Sequence, residues 1–123
     1  MVAMESHNLG RRGEAFAQEF LRQQGYKILI ANYRVKVGEI DIIADDHGTI
    51  VFVEVKTRQE KGWDAFESVG SSKQRRMIRA ATQYLVETFG REDVQSRFDV
   101  LAVLSDEKGA FKGDLIKEAF SIS

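Results

Sequence analysis

The run GEIDIIADDHGTIVFVEVKTR, from Gly38 to Arg58, restricts what this chain can fold into more than any other stretch. Ile40, Ile42 and Ile43 lead into Asp45-Asp46-His47-Gly48, and the β-rich Ile50-Val51-Phe52-Val53 leads out. A turn-forming cluster between two such runs predicts a β-hairpin. Side chains on a strand alternate between faces, so Glu54 and Lys56 share one side while Val53 and Val55 take the other. A two-residue loop at His47-Gly48 pairs Asp46 with Thr49 and, counted back, sets Asp41 opposite Glu54. A loop centred on Asp46-His47 shifts the pairing by two residues and keeps both carboxylates on one face, whereas a three-residue loop parts them.

Strands this apolar belong deep in a sheet, where a charge is costly unless it is paired or bound to a metal. Two adjacent carboxylates repel, and one rises in pKa unless a cation lies between them. Magnesium accepts one or two carboxylates together with water and phosphate oxygens, so Asp41 and Glu54 offer a fitting, incomplete oxygen shell for Mg²⁺ or Mn²⁺. Lys56 is then placed to hold or deprotonate an attacking water, or to offset charge developing on a phosphate. The competing reading is a half-exposed hairpin carrying an ordinary Glu54–Lys56 pair on its wet face, of little energetic weight.

The 123 residues suffice for one core and not for two, so a single domain over 1–123 is expected, with residues 1–7 disordered. There is no cysteine, which excludes disulfides, thiol chemistry and cysteine-type zinc sites. No apolar run approaches membrane-spanning length, and the opening MVAMESHN lacks the sections of a signal peptide, so the expected compartment is the cytoplasm, with no membrane partner. A formal net charge of -1 argues against a polycation that coats nucleic acid. Charge is unevenly placed, however: between Ser71 and Arg91 the bases Lys73, Arg75, Arg76, Arg79 and Arg91 stand against the single acid Glu87. Local patches, not totals, set attraction to a phosphate backbone.

In chain order, Asn8 to Gln24 reads as an amphipathic helix with Leu9, Gly13, Phe16, Ala17, Phe20 and Leu21 on one arc and Gly25 as its stop. Glu14 falls about 20° beyond Leu21 on the helical wheel, at the margin of the buried arc; by helix statistics alone it is a solvated first-turn acid. Tyr26 to Val37 reads as a strand with Asn32 as an irregularity, and Glu39 as a secondary acid or a partner for Lys56. His47 and His7 lack metal-ligand companions and read as surface residues. Residues 59–71 read as a loop in which Trp63 and Phe66 form a satellite core, stack on bases or meet a second copy. Ser72 is the expected cap of a second helix ending near Phe89, with Gly90 as its stop. Lys73, Arg75, Arg76 and Arg79 crowd into its first turns, where the helix dipole disfavours cations, so a bound anion would relieve them; Gln74 beside them would orient a phosphate or water. Arg97 to Leu104 reads as a buried strand, Asp106 to Gly109 as a turn, and Leu115 to Phe120 as a weak edge strand or helix. The order predicts a mixed sheet flanked by helices.

Taken together, Gly13-Glu14 on a helix, Gly-Glu-Ile-Asp (Gly38 to Asp41), Phe-Val-Glu-Val-Lys-Thr-Arg (Phe52 to Arg58), Lys-Gln-Arg-Arg opening a helix and Arg-Phe-Asp-Val (Arg97 to Val100) closely resemble the YraN-like family, a widespread bacterial group of mostly uncharacterised proteins. That family resembles a branch of the restriction-endonuclease-like PD-(D/E)xK nucleases, with archaeal Holliday junction resolvases among its nearer relatives. The resemblance implies an α/β fold with an αβββαβ core. It implies Mg²⁺ bound by Asp41 and Glu54, Lys56 assisting the nucleophile, and Glu14 as the further acid found on the first helix of resolvase-like members. It also implies substrate contacts from Lys73, Gln74, Arg75, Arg76, Arg79 and Arg58. Ile40 stands where the superfamily's name has proline. The implied activity is Mg²⁺-dependent cleavage of DNA, branched or otherwise structured, by a homodimer if the resolvases are followed. The alternative is a nucleic-acid-binding or scaffold module whose catalytic patch is idle.

Overall fold

The computed structural model describes residues 6–59 and 69–121. Their elements are α1 (Ser6–Gln23), β1 (Lys27–Val35), β2 (Gly38–Asp46), β3 (Thr49–Gln59), α2 (Ser71–Phe89), β4 (Ser96–Ser105) and β5 (Phe111–Phe120). The first six reproduce the expected αβββαβ order, and β5 resolves the open ending as an edge strand that starts earlier than the sequence suggested. Of the segments expected to be disordered or looped, 1–5 and 60–68, with Trp63 and Phe66, lie outside the described residues; α1 is already under way at Ser6.

The strands form one sheet in sequence order, β1-β2-β3-β4-β5. Neighbours are antiparallel except β3 and β4, which run parallel, as the α2 crossover between them requires. The central strand β3 is therefore covered on both faces. On one face Phe52, Ile43, Ile50, Phe98 and Val100 pack under α2 through Met77, Ala81 and Leu85. On the other, Val51, Val53, Ile42, Leu101 and Val103 pack under α1 through Ala17 and Leu21. A strand clothed on both sides reads as a continuous apolar run, and Ile50–Val53 is one.

The hairpin turn is the two-residue version. Asp46 pairs with Thr49, and His47 and Gly48 both have left-handed φ (52° and 97°), as a type I′ turn demands. Asp45 Oδ1 accepts the Gly48 N–H at 2.7 Å and closes it. The β2–β3 ladder then runs back only as far as Ile42↔Val53. Ile40 and Ile43 both join the α2-side cluster while Ile42 and Ala44 join the α1 side, so the alternation of β2 slips by one residue at Asp41. Across β1 the pairs Ala31↔Ile42 and Tyr33↔Ile40 flank a gap at Asn32, whose φ is 57°. Asparagine tolerates that left-handed conformation better than most side chains, and it frees the backbone opposite Asp41.

Two other expectations change. The cap of α2 is Gly70, with no side-chain cap; the Gln74 N–H donates to the Gly70 carbonyl at 2.9 Å and Gln74 Nε2 to the Val69 carbonyl at 2.7 Å, so Ser72 is not needed. Gly90 terminates the helix in the left-handed region as expected, its N–H on the Val86 carbonyl. The start of α2 presses against β2, for a Cβ on Gly38 would collide with the Arg76 carbonyl oxygen, a backbone atom that cannot swing aside. Gly38→Ala is therefore expected to cost about 1–3 kcal/mol of stability, read as a lower denaturant midpoint at unchanged slope.

Candidate active site

The slip in β2 and the end of the β2–β3 ladder coincide at the predicted acids. Glu54, on the α2 face of the central strand, is only 4% exposed. One step past the last ladder pair, Asp41 comes opposite it, and instead of a backbone carbonyl the Asp41 Oδ2 accepts the Val55 N–H at 2.8 Å. Burial, then the negative charge of Glu54, push the Asp41 carboxyl up to about 7, against the opposing pull of the Val55 N–H and of Lys73; Glu39 adds a smaller push. The two acids thus form one electrostatic unit, as the two-residue turn predicts.

Lys56 follows Glu54 by two residues and so projects from the same face, partly buried. A cation also reaches the pair from α2: Lys73 Nζ lies 2.5 Å from Glu54 Oε1. Sequence alone assigns Lys73 to substrate and misses this contact. Nothing local signals it, because it depends on α2 docking its first turn over β3. Glu39, an expected candidate partner of Lys56, lies 3.5 Å from Arg34 across the β1–β2 ladder.

Glu14 is exposed on α1, which covers the opposite face of the sheet from Glu54. Its neighbour Gly13 is buried, and a Cβ there would meet Thr57 Oγ1 at 2.5 Å. Helix α1 therefore crosses β3 one residue after Lys56, which sets Glu14 beside that end of the strand. Among the described residues no three potential ligands cluster ready-made for a metal. Arg75, Arg76 and Arg79 belong to the basic side of α2, Arg58 is exposed with Nη1 donating to the Thr57 carbonyl at 2.8 Å, and Gln74 is held by the Val69 carbonyl. Arg34 and Lys36 carry no signal in the sequence. With Gly38, Glu39, Lys73 and Arg76 they border a cleft of about 460 Å³ between the β1–β2 turn and α2, joined to the acid pair through Lys73. His47 is exposed and bonds through Nδ1 to Asp46 Oδ1 at 2.9 Å, a turn residue as expected. Among the described residues no helix is long and apolar enough to cross a membrane.

Comparison with known proteins agrees with the motif reading. The model of "Uncharacterised protein family UPF0102" matches residues 13–103. A UPF0102 protein of Chlorobium limicola is 49% identical over 104 residues, covering 83% of this chain and 79% of the relative. One of Symbiobacterium thermophilum is 44% identical over 116 residues, 94% and 98% of the two chains. One of Desulfosudis oleivorans is 44% identical over 112 residues, 90% and 88%.

Proposed function

The chain belongs to the uncharacterised protein family UPF0102, the YraN-like group its motifs resemble, and from its own side chains we propose that it is a divalent-metal-dependent nuclease acting on DNA, branched or otherwise structured. The observation that carries this reading is the apposition of Asp41 and Glu54 at the break in β2. Two partly desolvated acids that repel each other are a liability in a structural sheet and an asset where a cation must be held.

The donor chemistry fits a hard ion. Both groups are carboxylates, His47 is taken up in the turn by Asp46, and the chain has no cysteine, which suits Mg²⁺ or Mn²⁺ and not a soft-ligand metal. Asp41 and Glu54 would hold the ion, with water and phosphate oxygens as the remaining donors; Glu14, exposed on the helix over the other face, stands outside that shell. Such an ion supplies Lewis-acid polarisation of the phosphate and makes water more acidic. The rest falls to the chain. The Val55 N–H fixes the Asp41 carboxylate so that one oxygen faces the site. Lys56 positions the attacking water or opposes charge gathering on the phosphate. Arg75, Arg76 and Arg79, with Arg58 and the amide of Gln74, steer the backbone of the substrate, and Lys36 and Arg34 do so from across the cleft. Orientation and electrostatics together must remove a barrier on the order of 20 kcal/mol. A branched substrate of two-fold symmetry would be met by a homodimer of this chain.

The test is cleavage of labelled linear, flapped and four-way DNA in Mg²⁺ or Mn²⁺ by the wild-type chain and Asp41→Ala. A loss of at least about 10³-fold is expected, the scale of removing a principal electrostatic element. Equal residual nicking by both would sink the nuclease reading. Salt-sensitive binding that needs Arg75, Arg76 and Arg79 but not Asp41, without cleavage, would leave the idle binding module in its place.

A further inference from the structure

The Glu54 carboxylate, almost sealed from water, is met by a cation of the chain's own. Lys73 Nζ sits 2.5 Å from its Oε1, and Asp41 comes opposite Glu54 one step past the last β2–β3 ladder pair. Lys73 therefore stands at the Glu54 oxygen that an ion held by both acids would need. The two partners are not equally anchored. Glu54 is 6% exposed at its side chain and rooted in the central strand, whereas Lys73 is 43% exposed and reaches in from the first turn of α2 on a flexible four-carbon stem. Lys73 can leave without repacking the core; Glu54 cannot move.

We propose that Lys73 is the resident counter-ion of the acid pair, and that a divalent ion enters by exchange with it, releasing the ammonium into the cleft bordered by Arg34, Lys36 and Arg76. This rests on the metal-dependent reading above. Charge explains the exchange. Replacing the single charge of Lys73 by a divalent ion gives the two carboxylates one more positive charge and returns the ammonium to the cleft wall, whatever Lys56 contributes from the same face. That wall is where a phosphate backbone would lie. Metal loading and polyanion binding then reinforce each other through one side chain, and by linkage a polyanion that captures Lys73 must raise metal affinity by the same factor. The exchange also accounts for a lysine in the first turn of α2, where the helix dipole alone disfavours it.

Mn²⁺ titration of the full chain without nucleic acid, followed by electron paramagnetic resonance of free Mn²⁺, tests the exchange. If Lys73 occupies Glu54 most of the time, Lys73→Met should bind Mn²⁺ about tenfold tighter, because a site competent in only a fraction of molecules has its affinity reduced by that fraction. Lys73→Arg should stay near wild type. Equal or weaker binding by Lys73→Met overturns the exchange and leaves the nuclease reading standing; absence of Mn²⁺ binding in wild type and variant alike overturns both. A second readout needs no variant. Acetylation of Lys73 by an amine-reactive ester, followed by mass spectrometry, should rise several-fold at saturating Mg²⁺ while that of the exposed Lys36 stays constant. An unchanged Lys73 rate refutes the release.

Discussion

Arg97→Met is expected to lower the unfolding free energy by about 3–5 kcal/mol, the scale of stripping the partner from a buried charge, and to lower Tm by about 10 °C or more. The charge left behind is Asp99, fully buried on the α1 face of β4. Arg97 Nε donates to Asp99 Oδ1 at 3.0 Å, and its Nη2 donates to Asp46 Oδ2 and to the Tyr26 hydroxyl, both at 2.7 Å. Tyr26 passes its own proton on to Asp99 Oδ2 at 2.9 Å, and the Glu118 N–H donates to Asp99 Oδ1 at 3.0 Å. Burial and then the Asp99 carboxylate hold the Tyr26 hydroxyl far above its ordinary pKa, so it remains a donor. Burial works against the charge of Arg97, but its bonds to Asp46 and Asp99 outweigh that and keep the guanidinium charged. One cluster thus ties the link between α1 and β1, through Tyr26, to β2, β4 and β5. Because Asp99 pairs with Val53, immediately before Glu54, it also fixes the strand on which the candidate site stands. The double variant Arg97→Met with Asp99→Leu should lose less than the single one, since the fully buried charge of Asp99 is then no longer stranded and only the partly exposed Asp46 loses its partner. Single-variant melting indistinguishable from wild type would show that the cluster is not a stabilising element.

That cluster is illegible in the chain, whereas the acid pair is legible, and the difference is one of sequence distance. Asp41 and Glu54 are joined by a hairpin whose register follows from two residues, His47 and Gly48, able to adopt left-handed φ, so local chemistry alone brings the acids together. The run RFDV announces only a buried strand; that its arginine and aspartate meet Tyr26 and Asp46 depends on how α1 and β2 arrive from far upstream. Lys73 follows the same rule. Its place on the basic side of α2 can be read from charge and helix position, but its contact with Glu54 is set by the docking of Gly38 against the Arg76 carbonyl. Ser72 is a reasonable cap by residue type, and loses to a backbone arrangement in which the Gln74 side chain takes the Val69 carbonyl. The ending is ambiguous because FKGDLIKEAF alternates poorly; β5 pairs with β4 along the sheet's edge, and Glu118 there takes a φ of 52° that no pattern announces.

At about pH 8, Asp41→Asn is expected to be more stable than wild type, and at about pH 4 no more stable. The carboxyl of Asp41 is pushed from 3.8 to about 7 in the folded chain, first by burial and then by Glu54. Between those two values the folded protein holds a proton that the unfolded chain has released, so stability is greatest below the unfolded pKa and drains away as pH rises through about 7. Every tenfold change in proton affinity is worth about 1.4 kcal/mol, which sets a ceiling of about 4 kcal/mol on the loss, shared with Glu54 because the two titrate as a pair. An amide at residue 41 carries no charge to repel Glu54 and can still accept the Val55 N–H, so it escapes that loss. Mg²⁺ should recover part of the same stability in wild type above pH 7, do little near pH 5 where the proton competes with it, and do little at any pH in Asp41→Asn. Denaturant melts of both chains across this range, with and without Mg²⁺, read the effect without any substrate. Parallel pH curves for the two would mean that Asp41 and Glu54 do not oppose each other, and the reason for expecting a cation between them would be gone. A site residue whose removal strengthens the fold is the sign that the sheet tolerates the acid pair for what it binds.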